Sequence, residues 1–191
     1  MSKRFALIAS AAFIAFAAAT TAPLYADAMS EKTVTVGGAP MYPSKNIIQN
    51  AVNSKDHTTL VAAVKAAGLV DTLSSPGPFT VFAPVNAAFT KLPAGTVESL
   101  LKPENKDTLT KVLTYHVVPG RMTAVNLMKA VKDGESEAKL KTVAGEDIIV
   151  KQAGPGKLSI TDSKGDVAMV TIADVLQSNG VIHVIDTVLL P

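Results

Sequence analysis

Phe79-Thr80-Val81-Phe82-Ala83-Pro84-Val85-Asn86-Ala87-Ala88-Phe89 decides the fold class, because its pattern changes at a proline. Residues 79–83 have the aromatic and β-branched content of a strand, and Pro84 ends it. Asn86 then offers a cap oxygen to the turn that carries Ala87, Ala88 and Phe89. A second stretch, Asn179-Gly180-Val181-Ile182-His183-Val184-Ile185-Asp186-Thr187-Val188-Leu189-Leu190-Pro191, opens on a turn pair and continues as a strand with apolar residues on both faces. Such a strand belongs in the middle of a domain, covered from both sides.

Working outward, the flanking segments are mostly helical before residue 135 and mostly extended after it. Asn46 to Val52 sets Ile47, Ile48, Ala51 and Val52 at helical spacing. Asp56 or Thr58 caps a second helix with Leu60, Val61, Val64 and Ala67 on one stripe, and Gly68 stops it. Ahead of both, Thr33 to Tyr42 contains Gly37-Gly38 and Pro40 and reads as an extended lead-in. Pro93 to Leu101 is a short helix. From Glu104 to His116 runs a longer one whose stripe is Leu109, Val112, Leu113, His116 and Val117, so His116 occupies a position where a leucine is expected. Thr123 caps a further helix carrying Leu127, Met128 and Val131. Residues 142–144, 148–151, 158–161 and 167–170 are short strands separated by glycine-containing turns, a meander, and residues 174–178 read as a helical turn. Helices first, hairpins second and a buried last strand make an α+β domain over residues 46–191, with 29–45 as its lead-in.

The first 28 residues read differently. Ser2-Lys3-Arg4 is a basic head, Phe5 to Ala19 is apolar except for Ser10, and Ala26-Asp27-Ala28 is a small-x-small site. This is the pattern of a cleaved, Sec-type secretory signal, which implies a periplasmic or extracellular protein. The apolar run is shorter than the ~18 residues of a membrane span, so no stable membrane insertion is expected after cleavage. Lys3, Arg4 and Asp27 leave with the signal, and the formal net charge drops from +2 to +1. A near-neutral chain whose remaining arginine is Arg121 lacks the basic patch that nucleic-acid binding needs. With 0 Cys there is no thiol nucleophile, thiolate metal site or redox pair.

The ionisable residues form no catalytic pattern. His183 and Asp186 lie three apart on a strand, so they point to opposite faces. His57, in Lys55-Asp56-His57-Thr58, sits at a helix start and is expected to be exposed. Asp162-Ser163-Lys164-Gly165-Asp166 lacks the alternating carboxylates and distant Glu of a calcium loop and reads as a polar hairpin turn. No catalytic, cofactor-binding or metal-ligating residues are expected, no cofactor is implied, and the chain reads as non-enzymatic.

Residues 80–89 and 179–191 resemble the two signature boxes of the fasciclin domain, and Tyr115-His116 between them resembles that family's Tyr-His motif. Val85 departs from the threonine usual in the first box. The resemblance implies a β-wedge of short strands packed against several α-helices, with Thr80, Phe82, Pro84, Asn86, Phe89, Gly180, His183 and Asp186 as its structural motif residues. It also implies cell adhesion or matrix and surface binding, as in secreted single-domain bacterial members, with a cell-surface protein or polysaccharide as partner. Tyr115 and His116 are the interaction residues it suggests. Periodicity supports another role for His116, as a core residue bonded to Asn86 or to backbone, while Tyr115 at the stripe's edge reaches solvent. The alternative function is that of a periplasmic carrier, with a small apolar or sugar-like ligand held between helices and sheet.

Overall fold

The computed structural model describes residues 33–191, so the secretory signal expected over 1–28 lies outside the described residues. Its strands follow from the two quoted stretches. Strand β3 (Phe79–Pro84) and the last strand, β9 (Gly180–Ile185), pair in parallel from Phe79 opposite Gly180 to Pro84 opposite Ile185. Around that pair the sheet has the order β4-β3-β9-β8-β7-β6-β5, where β4 is Val117–Pro119, β5 Glu137–Lys141, β6 Asp147–Gly154, β7 Lys157–Thr161 and β8 Val167–Gln177. All other neighbours are antiparallel. Val143 N–H donates to the Val117 carbonyl at 2.7 Å, bringing the far end of the sheet back to β4, so the sheet is nearly closed.

Two cores follow from the two faces of this central pair. On one face, Val81, Ile182 and Val184 pack against α1 (Ile47–Ala51), α2 (Thr58–Ala67) and α6 (Lys106–Tyr115). On the other, Phe82 and Ile185 meet Ile148, Ile160 and Leu127, the last from α7 (Ala124–Asp133). Every residue of β9 is buried, as its two apolar faces require. Three shorter helices, α3 (Val70–Ser74), α4 (Asn86–Thr90) and α5 (Thr96–Leu100), complete the helical side. The α+β class and the wedge of short strands against helices are as the sequence implies. No helix among the described residues is long and apolar enough to cross a membrane.

Three local expectations are corrected. Residues 174–178 are not a helical turn but the end of β8, which is irregular between Val170 and Val175 and passes through Asp174 at φ 56. A β-bulge turns the strand there and frees the Asp174 carboxylate to accept from Ala124 N–H at 2.7 Å, at the start of α7. Residues 142–144 are a turn, with β5 preceding them, because Thr142 closes onto the Glu146 carbonyl through both its N–H and its hydroxyl. Finally, the lead-in does not run on as one extended segment: β1 (Val34–Val36) and β2 (Ala39–Met41) fold back as a hairpin, burying Val36 and Met41.

Gly180 is where the parallel pair comes closest. A Cβ there would overlap the Phe79 carbonyl oxygen, whereas one at Gly145 would meet nothing within 4 Å. Gly180→Ala is therefore expected to cost ~2–4 kcal/mol through displacement of β3 from β9. Gly145→Ala should cost about 1–2 kcal/mol, from its positive φ alone. Denaturant midpoints of the two variants check the ranking, and equal losses would contradict it.

Candidate functional site

Helix α6 buries Leu109, Val112, Leu113 and Tyr115, and its C-terminal step delivers Tyr115 and His116 to the junction with β4. Tyr115 is 0% exposed and His116 3%. The expectation that Tyr115 reaches solvent is thus corrected: the β5–β8 meander covers it, and its ring joins the core of Phe82, Ile148 and Ile160. Its hydroxyl donates to the Asp147 carbonyl at 3.1 Å and accepts from Ser163 N–H at 3.0 Å. Burial pushes the Tyr115 phenol above its usual range.

His116 has both ring nitrogens engaged by backbone. Nδ1 lies 2.7 Å from the Val112 carbonyl, which can only accept, so Nδ1 carries the proton. Nε2 then accepts from Leu189 N–H at 3.0 Å. Burial, opposed by the Val112 carbonyl and by the charge of Asp162, lowers its pKa from 6.5 to about 4. Asp162 continues the same construction: Oδ2 accepts from Leu190 N–H at 2.9 Å, and Oδ1 accepts from Lys164 N–H at 3.0 Å and Asp166 N–H at 2.9 Å. Its carboxylate holds a hairpin turn, as the sequence suggests. The pair and Asp162 together tie α6, the 162–166 turn and the segment after β9 into one unit.

Of the two kinds of partner expected for His116, backbone is the one found, and Asn86 is engaged elsewhere. Asn86 stands 28 residues from the helix start it holds: Oδ1 accepts from Thr59 N–H at 3.0 Å and from the Thr58 hydroxyl at 3.2 Å, while Nδ2 donates to the Lys55 carbonyl at 2.8 Å. It therefore caps α2, whose own N-cap position, His57, makes no side-chain cap bond. Neither Asp56 nor Thr58 caps α2, and Asn86 does not cap α4, which follows Val85 with no side-chain cap.

The remaining motif residues line the central pair. Thr80 is fully buried, its hydroxyl donating to the Gly120 carbonyl at 2.6 Å and accepting from Met122 N–H at 2.9 Å. Phe82 stands in register with His183 and the two rings stack 5.6 Å apart. His183 donates from Nε2 to the Met122 carbonyl at 2.8 Å and accepts at Nδ1 from Asp174 N–H at 3.4 Å; burial lowers its pKa. Pro84 is buried at the end of β3, and Phe89 packs half-buried between the helical clusters. Asp186 lies just beyond β9, accepting from Met169 N–H at 2.9 Å and the Thr187 hydroxyl at 3.0 Å, with Lys91 3.6 Å away. Partial burial raises its pKa, but these contacts outweigh that and bring it below the usual carboxylate value.

His57 departs from expectation, being 3% exposed rather than at the surface. The hairpin and α1 fold over it: Lys55 N–H donates to the Gly37 carbonyl at 3.3 Å, and Ser178 N–H to the Lys45 carbonyl at 2.9 Å. Sequence reading also missed the polar joints of this strap. Asn179 Oδ1 accepts from Ile47 N–H at 3.0 Å, and its Nδ2 donates to the carbonyls of Leu73 at 2.8 Å and Ser75 at 2.9 Å. Asn50 Nδ2 donates to Tyr42 O and to Gln177 Oε1. Polar residues at the borders of apolar runs were the available signal.

A nearly closed sheet with one parallel pair, backed by helices and crossed by a buried Tyr-His step, defines a helix-backed β-wedge. The chain belongs to the fasciclin-domain family, whose description, "Fasciclin domain", matches residues 55–191. It is 51% identical over 162 residues to protein sll1483 of Synechocystis sp., covering 85% of this chain and 82% of that one. It is 34% identical over 180 residues to immunogenic protein MPB70 of Mycobacterium bovis, covering 92% and 77% respectively. The fold is similar to a FAS1 domain pair from the insect cell adhesion molecule fasciclin I, with a TM-score of 0.69 at 22% identity, covering 78% of this chain and 52% of that one.

The histidines set a pH dependence. His116 stays neutral in the folded protein down to about pH 4, whereas in the unfolded chain it protonates below 6.5. Its contribution is fully present above that unfolded value and is lost as pH falls toward about 4, worth roughly 3 kcal/mol. His57 and His183 shift in the same direction. The denaturant midpoint should fall steadily across that window, with the His116 ring resonance untitrated above about pH 5. A flat midpoint would contradict the assignment.

Proposed function

We propose that this chain is a non-enzymatic interaction module, secreted to the periplasm or beyond, that binds a cell-surface protein or polysaccharide. The observation that carries this reading is the way Tyr115 and His116 hold a surface without belonging to it. Tyr115 bonds the backbones of Asp147 and Ser163, and the segments that carry those bonds expose two large apolar side chains, Val143, at 47%, and Val167, at 52%, along with Lys164 and Asp166. Two exposed apolar side chains flanked by both signs of charge suit recognition of a protein or a sugar face. Support for the non-enzymatic part comes from His116 and His183, whose ring nitrogens are all committed to backbone groups and are not free to act as bases. Export is supported by the secretory pattern of the first 28 residues, and adhesion by the likeness to the insect cell adhesion molecule.

The Tyr-His pair acts in this reading as a positioning element, and the contact is made by the 143–147 and 163–167 segments. Val167→Asp is expected to reduce retention of cell-surface extract on immobilised protein at least five-fold with the melting temperature unchanged. Tyr115→Phe leaves Ser163 N–H without its acceptor, and should lower stability by about 1–3 kcal/mol together with retention. Undiminished retention by Val167→Asp would contradict the proposed face.

A further inference from the structure

A cavity of about 40 Å³ lies between the N-terminal strap, α2 and the inner face of the central strands. Met41 and Ile47 of the strap, Leu60 and Val64 of α2, and Val81 and Ile182 of the sheet give it apolar walls. His57 also lines it, and one of its ring nitrogens has nothing to bond. The ring is 3% exposed, Nδ1 lies 2.9 Å from Ser54 Oγ, and Nε2 has no hydrogen-bond partner, alone among the buried side-chain polar atoms of the described residues. The Ala83 carbonyl is near enough to favour protonation of the ring, but it is not aligned to accept a hydrogen bond, and burial prevails and lowers the pKa.

Buried polar atoms are almost always satisfied, so the open nitrogen asks for a partner. A buried water needs two to four polar neighbours, and this lining offers it one unpartnered side-chain atom. An ion is disfavoured by the apolar walls. The volume equals roughly three water-sized spheres, which suits a body of few heavy atoms. A hydroxyl both donates and accepts, so it pairs with His57 whichever ring nitrogen carries the proton. From these constraints we propose that the cavity is a binding site for a small neutral alcohol of about one or two carbons, its hydroxyl on His57 Nε2 and its hydrocarbon body against Leu60, Val64 and Ile182. The outer wall belongs to the strap, which precedes the 55–191 segment matched by the family, so this site extends the domain rather than restating it.

The test is an NMR titration of the full exported protein, labelled at histidine rings and methyl groups, with ethanol as the probe. Saturable shifts are expected at the His57 ring and at the methyls of Leu60, Val64 and Ile182, with the His183 ring, outside the cavity, unmoved. In His57→Phe the response of those methyls to ethanol should weaken at least ten-fold, while dissolved xenon, which needs no hydrogen bond, still shifts them. Should His57→Phe fail to fold, Val64→Ile fills the cavity with one methylene, keeps the histidine, and should abolish the alcohol response. No saturable shift in the parent protein, or an undiminished response in either variant, overturns the proposal.

Discussion

The parallel pairing of β3 with β9 is the constraint on which the rest of the structure depends. It places Phe79 opposite Gly180 and Phe82 opposite His183, so residues far apart in the sequence become neighbours. A parallel pair cannot be closed by a hairpin, and here residues 85–179 form the connection, α4 to α7 with β4 first and then the meander. Because β9 is buried on both sides, each of its faces anchors a separate core: the helical one through Ile182 and Val184, the meander one through Ile185. A shift of one residue between the strands would exchange those faces and bring a side chain to the point where Gly180 leaves room only for the Phe79 backbone.

Long-range polar joints then lock what the pairing brings together. His116 and His183 each take a carbonyl at one ring nitrogen and an amide at the other, which fixes the tautomer and keeps the rings neutral. Asn86 and Asn179 do the same work with side-chain amides, the first at the start of α2 and the second where the strap and α3 meet β9. Such groups are costly to leave unpaired in a low-dielectric interior, so their loss would be felt well beyond the local contact. This explains how the Tyr-His step can hold the segments around it while both side chains are buried.

Much of this was legible in the sequence. The proline after Ala83 and the two-faced run after Gly180 marked the central strands, and the stripe Leu109, Val112, Leu113, His116 placed His116 in the core. What local patterns could not carry was partnership across the chain. Nothing near Asn86 indicates that its amide serves Thr59, and nothing near His57 indicates that a hairpin at residues 34–41 will cover it. Residues 174–178 misled because Asp174 and Ser178 resemble helix-boundary residues, whereas tertiary pairing with β9 held the segment as a bulged strand. That Asp147 and Ser163 are joined was not legible either, since they meet through Tyr115 and the β6–β7 pairing.

The central claim is that Tyr115 and His116 are buried connectors that hold the surface segments around them. Native-state amide exchange measures it most directly, at Ser163, which donates to Tyr115, and at Leu189, which donates to His116. Both amides should exchange only through openings that approach global unfolding, and Tyr115→Phe should speed Ser163 far more than Leu189. Rapid exchange at both amides in the parent protein, as for a freely moving surface segment, would contradict the account.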